Sequence, residues 1–260
     1  MKKYDIVLLL LVIFLLLNYQ ACSKKSTASL ESPDTEILYP QEGDTMTIAN
    51  VECRWRGLDN AKEFAYRLDD APWSSWGGDT TKRFILDEGE HQLIVKARNE
   101  FKREDPSPAS VNFFIDAIKG PALWIKSRKI EVSTGGTCSL KVYAEDIENL
   151  MLANLELLYD NTKIRINNVS KDTLFLEKNG ASVQMISEYN DTSNILSVNI
   201  GLVGGQHKGV SGSGPLFTVG ILVISADSTE VLFSPQTELR DTLNNNIILT
   251  GMFGCSIVPE

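Results

Sequence analysis

Short runs of strict apolar–polar alternation, each closed by a turn, recur from Ile37 almost to the last residue of this chain. In one run Val51, Cys53 and Trp55 take one side while Glu52, Arg54 and Arg56 take the other. Successive side chains of a strand point to opposite faces, so such a run is a strand with one side buried. Many strands of this kind, with turn residues between them, can hide their apolar sides only by stacking sheet on sheet. The expected fold class is therefore all-β, built of sandwiches.

Two sandwiches are expected. Between 37 and 118 the strand candidates are EILYP, TIANVECRWRG, EFAYRLDD, KRFILDE, HQLIVKARNE and SVNFFID. Six or seven short strands in that length suggest an immunoglobulin-like sandwich. The strings FAYRLDDAPWSSW and LDEGEHQLIVKARN resemble bacterial fibronectin-type-III or immunoglobulin-like modules. Lys119-Gly120-Pro121 interrupts any strand and marks a boundary. A second domain, 123–260, reads as KIEV, CSLKVYAE, ANLELLYD, KIRINNV, LFLE, SVQMISEY, ILSVNIGL, LFTVGILVIS, EVLFS, IILTG and CSIVP. One stretch has two readings: Ile147, Leu150, Met151, Leu155 and Leu158 fit helical spacing as well as strand spacing.

The start of the chain has a different character. Lys2 and Lys3 precede an apolar run, Ile6–Leu17, with Ala21-Cys22 shortly after. That order is a secretory signal, 1–21, and the run is short for a membrane crossing. A small residue before a cysteine resembles the lipid-attachment signal of bacterial lipoproteins, although Tyr19 replaces the usual aliphatic. The resemblance implies lipidation of Cys22 and, since Ser23 rather than Asp follows, anchoring to the outer membrane or cell surface. The alternative is an ordinary signal cut near Ala21. Residues 22–36 are polar and read as a flexible tether.

Cys138 and Cys255 fall near the two ends of the second domain, so a disulfide is possible in an exported chain. The other reading makes both of them small buried hydrophobes. Cys53 has no partner in its own segment and is expected in the core. A formal net charge of -9 repels phosphate backbones and argues against a nucleic-acid partner.

Three islands of the second domain carry a further resemblance. They are MLANLELLYDNTKI (Met151–Ile164), GVSGSGPLFTVGI (Gly209–Ile221) and TELRDTLNNNI (Thr237–Ile247). In this order they resemble a cohesin domain, a nine-stranded jelly-roll sandwich related in fold to one group of cellulose-binding modules. The resemblance makes the ambiguous stretch a strand from about Leu152. Alternation then turns Leu155, Leu157 and Tyr159 inward and Asn154, Glu156 and Leu158 outward. In cohesins the Asn and the acid of this strand meet a dockerin, a small calcium-loaded helical module. The resemblance thus implies a partner-binding face at Asn154, Glu156 and Leu158. The plain alternative leaves these as solvated residues. The neighbouring strand, Ile195–Gly205, offers Ser197 and Asn199 and no carboxylate, unlike many cohesins.

Catalytic signals are absent from the sequence. His91 and His207 are the only histidines, and no nucleophile elbow, metal-binding histidine pair or phosphate loop occurs. Asp69-Asp70 and Asp87-Glu88 read as solvated turn residues. No catalytic residue, metal or cofactor is expected. Trp73, Trp76 and Tyr66 could stack on sugars, but core packing is the favoured reading. The expectation is a non-enzymatic, surface-anchored scaffold that holds a dockerin-like protein partner and is linked to polysaccharide catabolism. Direct carbohydrate binding and a passive role in an envelope assembly are the alternatives.

Overall fold

The computed structural model of this chain describes residues 32–189, 192, 194–204 and 208–259. The expected signal peptide, Cys22, most of the tether and His207 lie outside the described residues. The chain divides into two compact units. One takes the described residues up to Thr45 together with Asn50–Phe84 and Glu90–Phe114. The other takes Met46–Ala49, Ile85–Gly89 and everything from Ile115 onward.

The strands of the first region are β1 (Asp34–Tyr39), β2 (Thr45–Met46), β3 (Asn50–Leu58), β4 (Glu63–Leu68), β5 (Thr81–Ile85), β6 (Gly89–Arg98) and β7 (Ala109–Ile115). They form two sheets, ordered β1-β3-β5 and β2-β7-β6-β4. Val51, Cys53 and Trp55 of β3 are buried, as are Leu93, Val95 and Ala97 of β6. The alternation read from the sequence is thus the burial pattern of the strands.

β1 begins inside the expected tether. Asp34, Thr35 and Glu36 pair with Leu58, Gly57 and Arg56 of β3. Polar residues enter this strand because they have partners. The buried Thr35 hydroxyl donates to Asp105 at 2.7 Å, and Glu36 holds Arg56 at 2.6 Å.

Trp73 and Trp76 are not core residues. Trp73 is 37% exposed and Trp76 half-buried. The segment that carries them lies along β4: Ser74 N–H donates to the Tyr66 carbonyl, and Phe64 and Gly77 exchange N–H···O bonds. The rings interleave with cations. Arg67 and Lys96 lie 5.4 and 4.7 Å from the Trp73 ring, and Lys96 and Arg98 lie 5.1 and 4.4 Å from the Trp76 ring. Tyr66 packs inward of this ladder, 5.6 Å from both Trp55 and Phe84.

The second unit holds β8 (Ala122–Ile125), β9 (Lys129–Glu131), β10 (Thr137–Leu158), β11 (Ile164–Lys171), α1 (Thr173–Leu176), β12 (Ala181–Glu188), β13 (Ile195–Gly204), β14 (Val210–Val223), β15 (Thr229–Phe233), β16 (Glu238–Asp241), β17 (Asn246–Ile247), β18 (Gly251–Phe253) and β19 (Cys255–Val258). It is an all-β sandwich in which twelve described strands are connected by hydrogen bonds. The excess over the nine expected consists of β9, β17 and β18, edge pieces of two or three residues each.

β10 explains that connectivity. Its first half pairs with β14 and β8, and its second half with β13, β16 and β15. One strand therefore serves both layers, and Leu140, Val142, Leu155 and Leu157 all feed a single core. Between the halves the register slips twice against β14, at 144/147 and 147/150. Asp146 and Asn149 take positive φ, 50° and 53°. Each slip is a bulge that strands a backbone N–H. The serines of β14 satisfy these groups: Asp146 N–H donates to Ser213 Oγ at 3.0 Å and Asn149 N–H to Ser211 Oγ at 2.9 Å. The Gly/Ser-rich island is thus the lining of a strand bend. Gly214 must be glycine, because a Cβ there would stand 2.4 Å from the Phe175 ring.

The bulges also resolve the two readings of 147–158. Ile147 and Leu150 are both buried three residues apart, while Glu148 and Asn149 are exposed. A bulged strand had imitated helical spacing. LFLE, expected as a strand, lies instead in and just after α1. Asp172 caps it, accepting from Leu174 N–H at 3.1 Å, and Phe175 and Leu176 plug the core. IILTG is a strand only at its two ends, Ile247 in β17 and Gly251 in β18; Ile248 between them is 73% exposed.

Cys138 and Cys255 are both free thiols on the same core, so the bridge considered for them is not present. Burial pushes the Cys255 thiol up to about 12, with a smaller contribution from nearby Cys138. Protonated thiols packed among aliphatics behave as small hydrophobes. Cys53 is likewise buried and free.

Candidate functional site

Asn154, Glu156 and Leu158 lie on the outer side of β10, as alternation predicts. Asn154 is exposed and the other two half-buried, while Leu155, Leu157 and Tyr159 are buried between them. Backbone pairing extends this line into a face. Leu152, Asn154, Glu156 and Leu158 stand opposite Gly201, Asn199, Ser197 and Ile195 of β13. Those in turn stand opposite Gln184, Ile186 and Glu188 of β12. On the other side Arg240 and Glu238 of β16 pair with Leu152 and Asn154, and Leu232 of β15 with Leu158.

The face is stiff from behind. Glu156 N–H donates to Thr237 Oγ1 at 3.1 Å, and Ser234 N–H donates to the Glu156 carbonyl at 2.8 Å. The hairpin beside it is tied by Asp241, whose carboxylate accepts from Leu243 N–H, Asn245 N–H and the Asn245 amide. These bonds hold the Asp241 carboxyl below its ordinary value. The island TELRDTLNNNI thus builds one wall of the face.

The sequence did not mark Leu152, Gln184, Ile186, Gly201, Glu238 or Arg240 as site residues. Period-two patterning could have turned each outward on its own strand. It could not have said which strands are neighbours. The carboxylate missing from β13 is supplied by Glu188 and Glu238 on flanking strands. Glu238 is paired with Arg240 at 2.9 Å.

A shallow recess of about 360 Å³ opens on this face over Gly201, walled by Leu152, Gln184, Ile186 and Arg240. Leu152, Ile186 and Val203 are 44%, 65% and 58% exposed. The free edge of the face is blocked at one residue, Val183 of β12. Lys171 Nζ donates to the Val183 carbonyl at 2.9 Å, and Val183 N–H donates to Glu177 Oε1 at 3.1 Å. Side chains thereby occupy the backbone groups that an added strand would need.

Carboxyls pushed above their ordinary value lie elsewhere. Burial raises Glu145, whose oxygens accept from Trp124 Nε1 at 2.9 Å and from the Ser213 hydroxyl. Burial also raises Glu88, which is no solvated turn residue: it accepts from the backbone N–H groups of Ala117 and Ile118. Among the described residues no group of three His, Cys, Asp or Glu side chains could hold a metal ion. An open, amide-bearing and partly apolar sheet face suits contact with another surface rather than bond chemistry.

Fold and face together define an all-β protein with an open, partly apolar sheet face. No family model matches this chain. No curated protein matches it either. Among solved structures it is similar to a cohesin of Clostridium acetobutylicum, at 14% identity and TM-score 0.45, over 54% of this chain and 96% of that one. It is similar to a non-cellulosomal cohesin of Archaeoglobus fulgidus, at 21% identity and TM-score 0.41, over 53% and 91%. It is also similar to a type I cohesin–dockerin complex from Clostridium thermocellum, at 10% identity and TM-score 0.43, over 54% and 94%.

Proposed function

We propose that this chain is a non-catalytic binding module whose second unit holds a protein partner on the face of Asn154, Glu156 and Leu158. The observation that carries the proposal is a continuous outward surface of four strands, β12-β13-β10-β16, left uncovered although Leu152, Ile186 and Val203 are exposed on it. Exposed apolar side chains gathered on one sheet face mark an interaction surface. With its edge closed at Val183, the face receives a partner from above rather than a strand from the side.

In this reading the second unit works as a cohesin does and the partner is dockerin-like. The first unit is an immunoglobulin-like spacer. The chain is exported, lipidated at Cys22 and anchored at the outer membrane or cell surface, with a partner drawn from polysaccharide breakdown. The N-terminal order of lysines, apolar run and Ala21-Cys22 supports the anchor. Direct sugar binding has less in its favour. The outward residues of β12, β13, β16 and the second half of β10 include no aromatic ring, and the Trp73 and Trp76 faces are taken by Arg67, Lys96 and Arg98.

The test is affinity capture from secreted fractions with wild-type protein and with the Asn154→Ala, Glu156→Ala double variant. A partner retained by wild type and lost by the variant supports the reading; equal capture makes the unit a passive one. Labelled palmitate incorporated equally by wild type and Cys22→Ala would remove the anchor.

A further inference from the structure

We infer that residues 116–121, which join β7 to β8, form a charge-gated strap on the second unit: it lies closed while Glu88 and Glu145 are protonated and lifts as they ionise. Side chains of the second unit grip its backbone. Glu88 accepts from Ala117 N–H at 3.0 Å and from Ile118 N–H at 2.9 Å. Gly120 N–H donates to Asp146 Oδ2 at 3.2 Å. Thr250 holds the far end: its hydroxyl lies 2.7 and 3.1 Å from the carbonyls of Lys119 and Pro121, and its N–H donates to the latter at 2.7 Å. All of these residues belong to the second unit. Beneath the strap is a small apolar cluster separate from the main core. Ile118, Ala122 and Trp124 are buried together, with Tyr143 and Phe253 packed against them. Trp124 stacks on Tyr143 at 4.5 Å, and its Nε1 donates to Glu145 at 2.9 Å. Ile118 is the strap's own side chain in that cluster, and Glu145 ties the cluster to the acidic surface around it.

The charges set the gate. Glu88 faces Glu145 and Asp116, and Glu145 faces Asp146 and Asp116. Lys119 lies among them, 2.9 Å from Asp116 and near Asp146 and Glu88. Its bond to Asp116 and these neighbours keep it charged. Asp87, next to Glu88 in sequence, accepts from Ser127 N–H at 2.8 Å. Glu88, Asp116, Glu145 and Asp146 thus share one lysine, and full ionisation leaves an excess of three negative charges (four minus one). Burial acts in the same direction. It disfavours the charged forms of Glu88 and Glu145 and raises both carboxyls, outweighing the hydrogen bonds that pull the other way. The closed strap is therefore favoured fully below the ordinary value of 4.5, and this is lost as pH rises through the raised folded values. No strand ladder holds the chain between Ile115 and Ala122. Local opening there relieves the repulsion without unfolding a sheet.

The test is amide hydrogen exchange on the full chain from about pH 4.5 to 7.5, read as protection factors corrected for intrinsic exchange. Ala117 and Ile118 report the strap, and Val142 and Leu155 report the core of the same unit. The strap amides are expected to be less protected than the core amides at every pH, because they open separately. Their protection is expected to fall by about threefold or more across the range. Glu88→Gln with Glu145→Gln keeps acceptors for the strap and for Trp124 and removes the charges. It is expected to flatten the fall. Glu88→Ala removes the acceptor and is expected to lower strap protection at every pH.

Strap amides as well protected as the core would mean that the segment opens only with the whole unit, and the strap would be wrong. Protection that is constant with pH, or that rises with it, would make ionised Glu88 the grip and overturn the gate. Both outcomes are read on wild-type protein, so they do not depend on how well a variant folds. A double glutamine variant that keeps the wild-type fall would move the gate to other groups and overturn the assignment to Glu88 and Glu145.

Discussion

The outer side of β4 and β6 in the first unit and the outer side of β12, β13, β10 and β16 in the second began with the same problem. Each is a sheet face with charged residues and little reason to be dry. In the first unit the chain covers its own face: Trp73 and Trp76 fold back, interleave with Arg67, Lys96 and Arg98, and leave Ala65 on β4 only 1% exposed. Glu63 then ties Arg98 at 2.5 Å and Lys102 at 2.7 Å. In the second unit no described segment folds back, Glu156 and Glu188 stand on the surface, and apolar side chains remain exposed. The difference between a covered and an open face is what the binding proposal rests on.

The comparison can be broken first at the core beneath the open face. Leu155 lies between Asn154 and Glu156 in sequence and is fully buried. Leu155→Ala is expected to destabilise the second unit by about 2–5 kcal/mol. Urea unfolding followed by a probe in each unit would check this, since two units need not melt together. Next comes the covered face. Trp76→Ala removes a half-buried ring and two cation–π contacts, and is expected to cost the first unit about 2–3 kcal/mol. Unchanged unfolding of the first unit would mean that the tryptophans are decoration, and that its face is as open as the other.

The sequence showed a good deal of this. Alternation gave the inward and outward sides of β3, β6 and the second half of β10, because a strand's period is local and any core residue must obey it. What it hid was non-local. Asn154 faces Asn199 across β10 and β13, and neither residue's neighbours in sequence announce the other. Only the family resemblance supplied one neighbour, the strand of Ser197 and Asn199, which does pair with β10; the face was visible as two strands and invisible as four. The bulges at Asp146 and Asn149 misled in another way, giving a strand the spacing of a helix. In α1 the cap at Asp172 was readable in sequence, but the apolar run after it masked the signal.

A pH titration sharpens the contrast within the second unit. Glu145 is half-buried at the bend of β10, and this burial raises its folded pKa, so the folded state prefers it protonated. Its contribution is present below the ordinary value of 4.5 and is lost as pH rises through the folded value. Asp160 and Asp241 are lowered by hydrogen bonds in their turns, so they stabilise above the ordinary 3.8 and lose this as pH falls through their folded values. By themselves these groups, with Glu88 raised in the same way as Glu145, favour the folded second unit most between the ordinary aspartate and glutamate values, and this joint maximum lies between 3.8 and 4.5. Glu145→Gln, which keeps an acceptor for Trp124, is expected to flatten the decline above that maximum. An unaltered profile in thermal melts from pH 4 to 8 would assign the decline to other carboxyls.

The smallest expected effect is the most discriminating. Asn154→Ala with Glu156→Ala removes two outward side chains that make no ion pair among the described residues, while the Glu156 backbone keeps its bonds to Thr237 and Ser234. Stability is expected to change by less than about 0.5 kcal/mol. Side chains that cost nothing when removed are not holding the sandwich together, and a face made of such residues is free to serve a partner. A loss of 2 kcal/mol or so, of the size expected for a covered face, would place these two residues with Trp73 and Trp76. The difference between the two faces, on which the binding proposal depends, would then disappear.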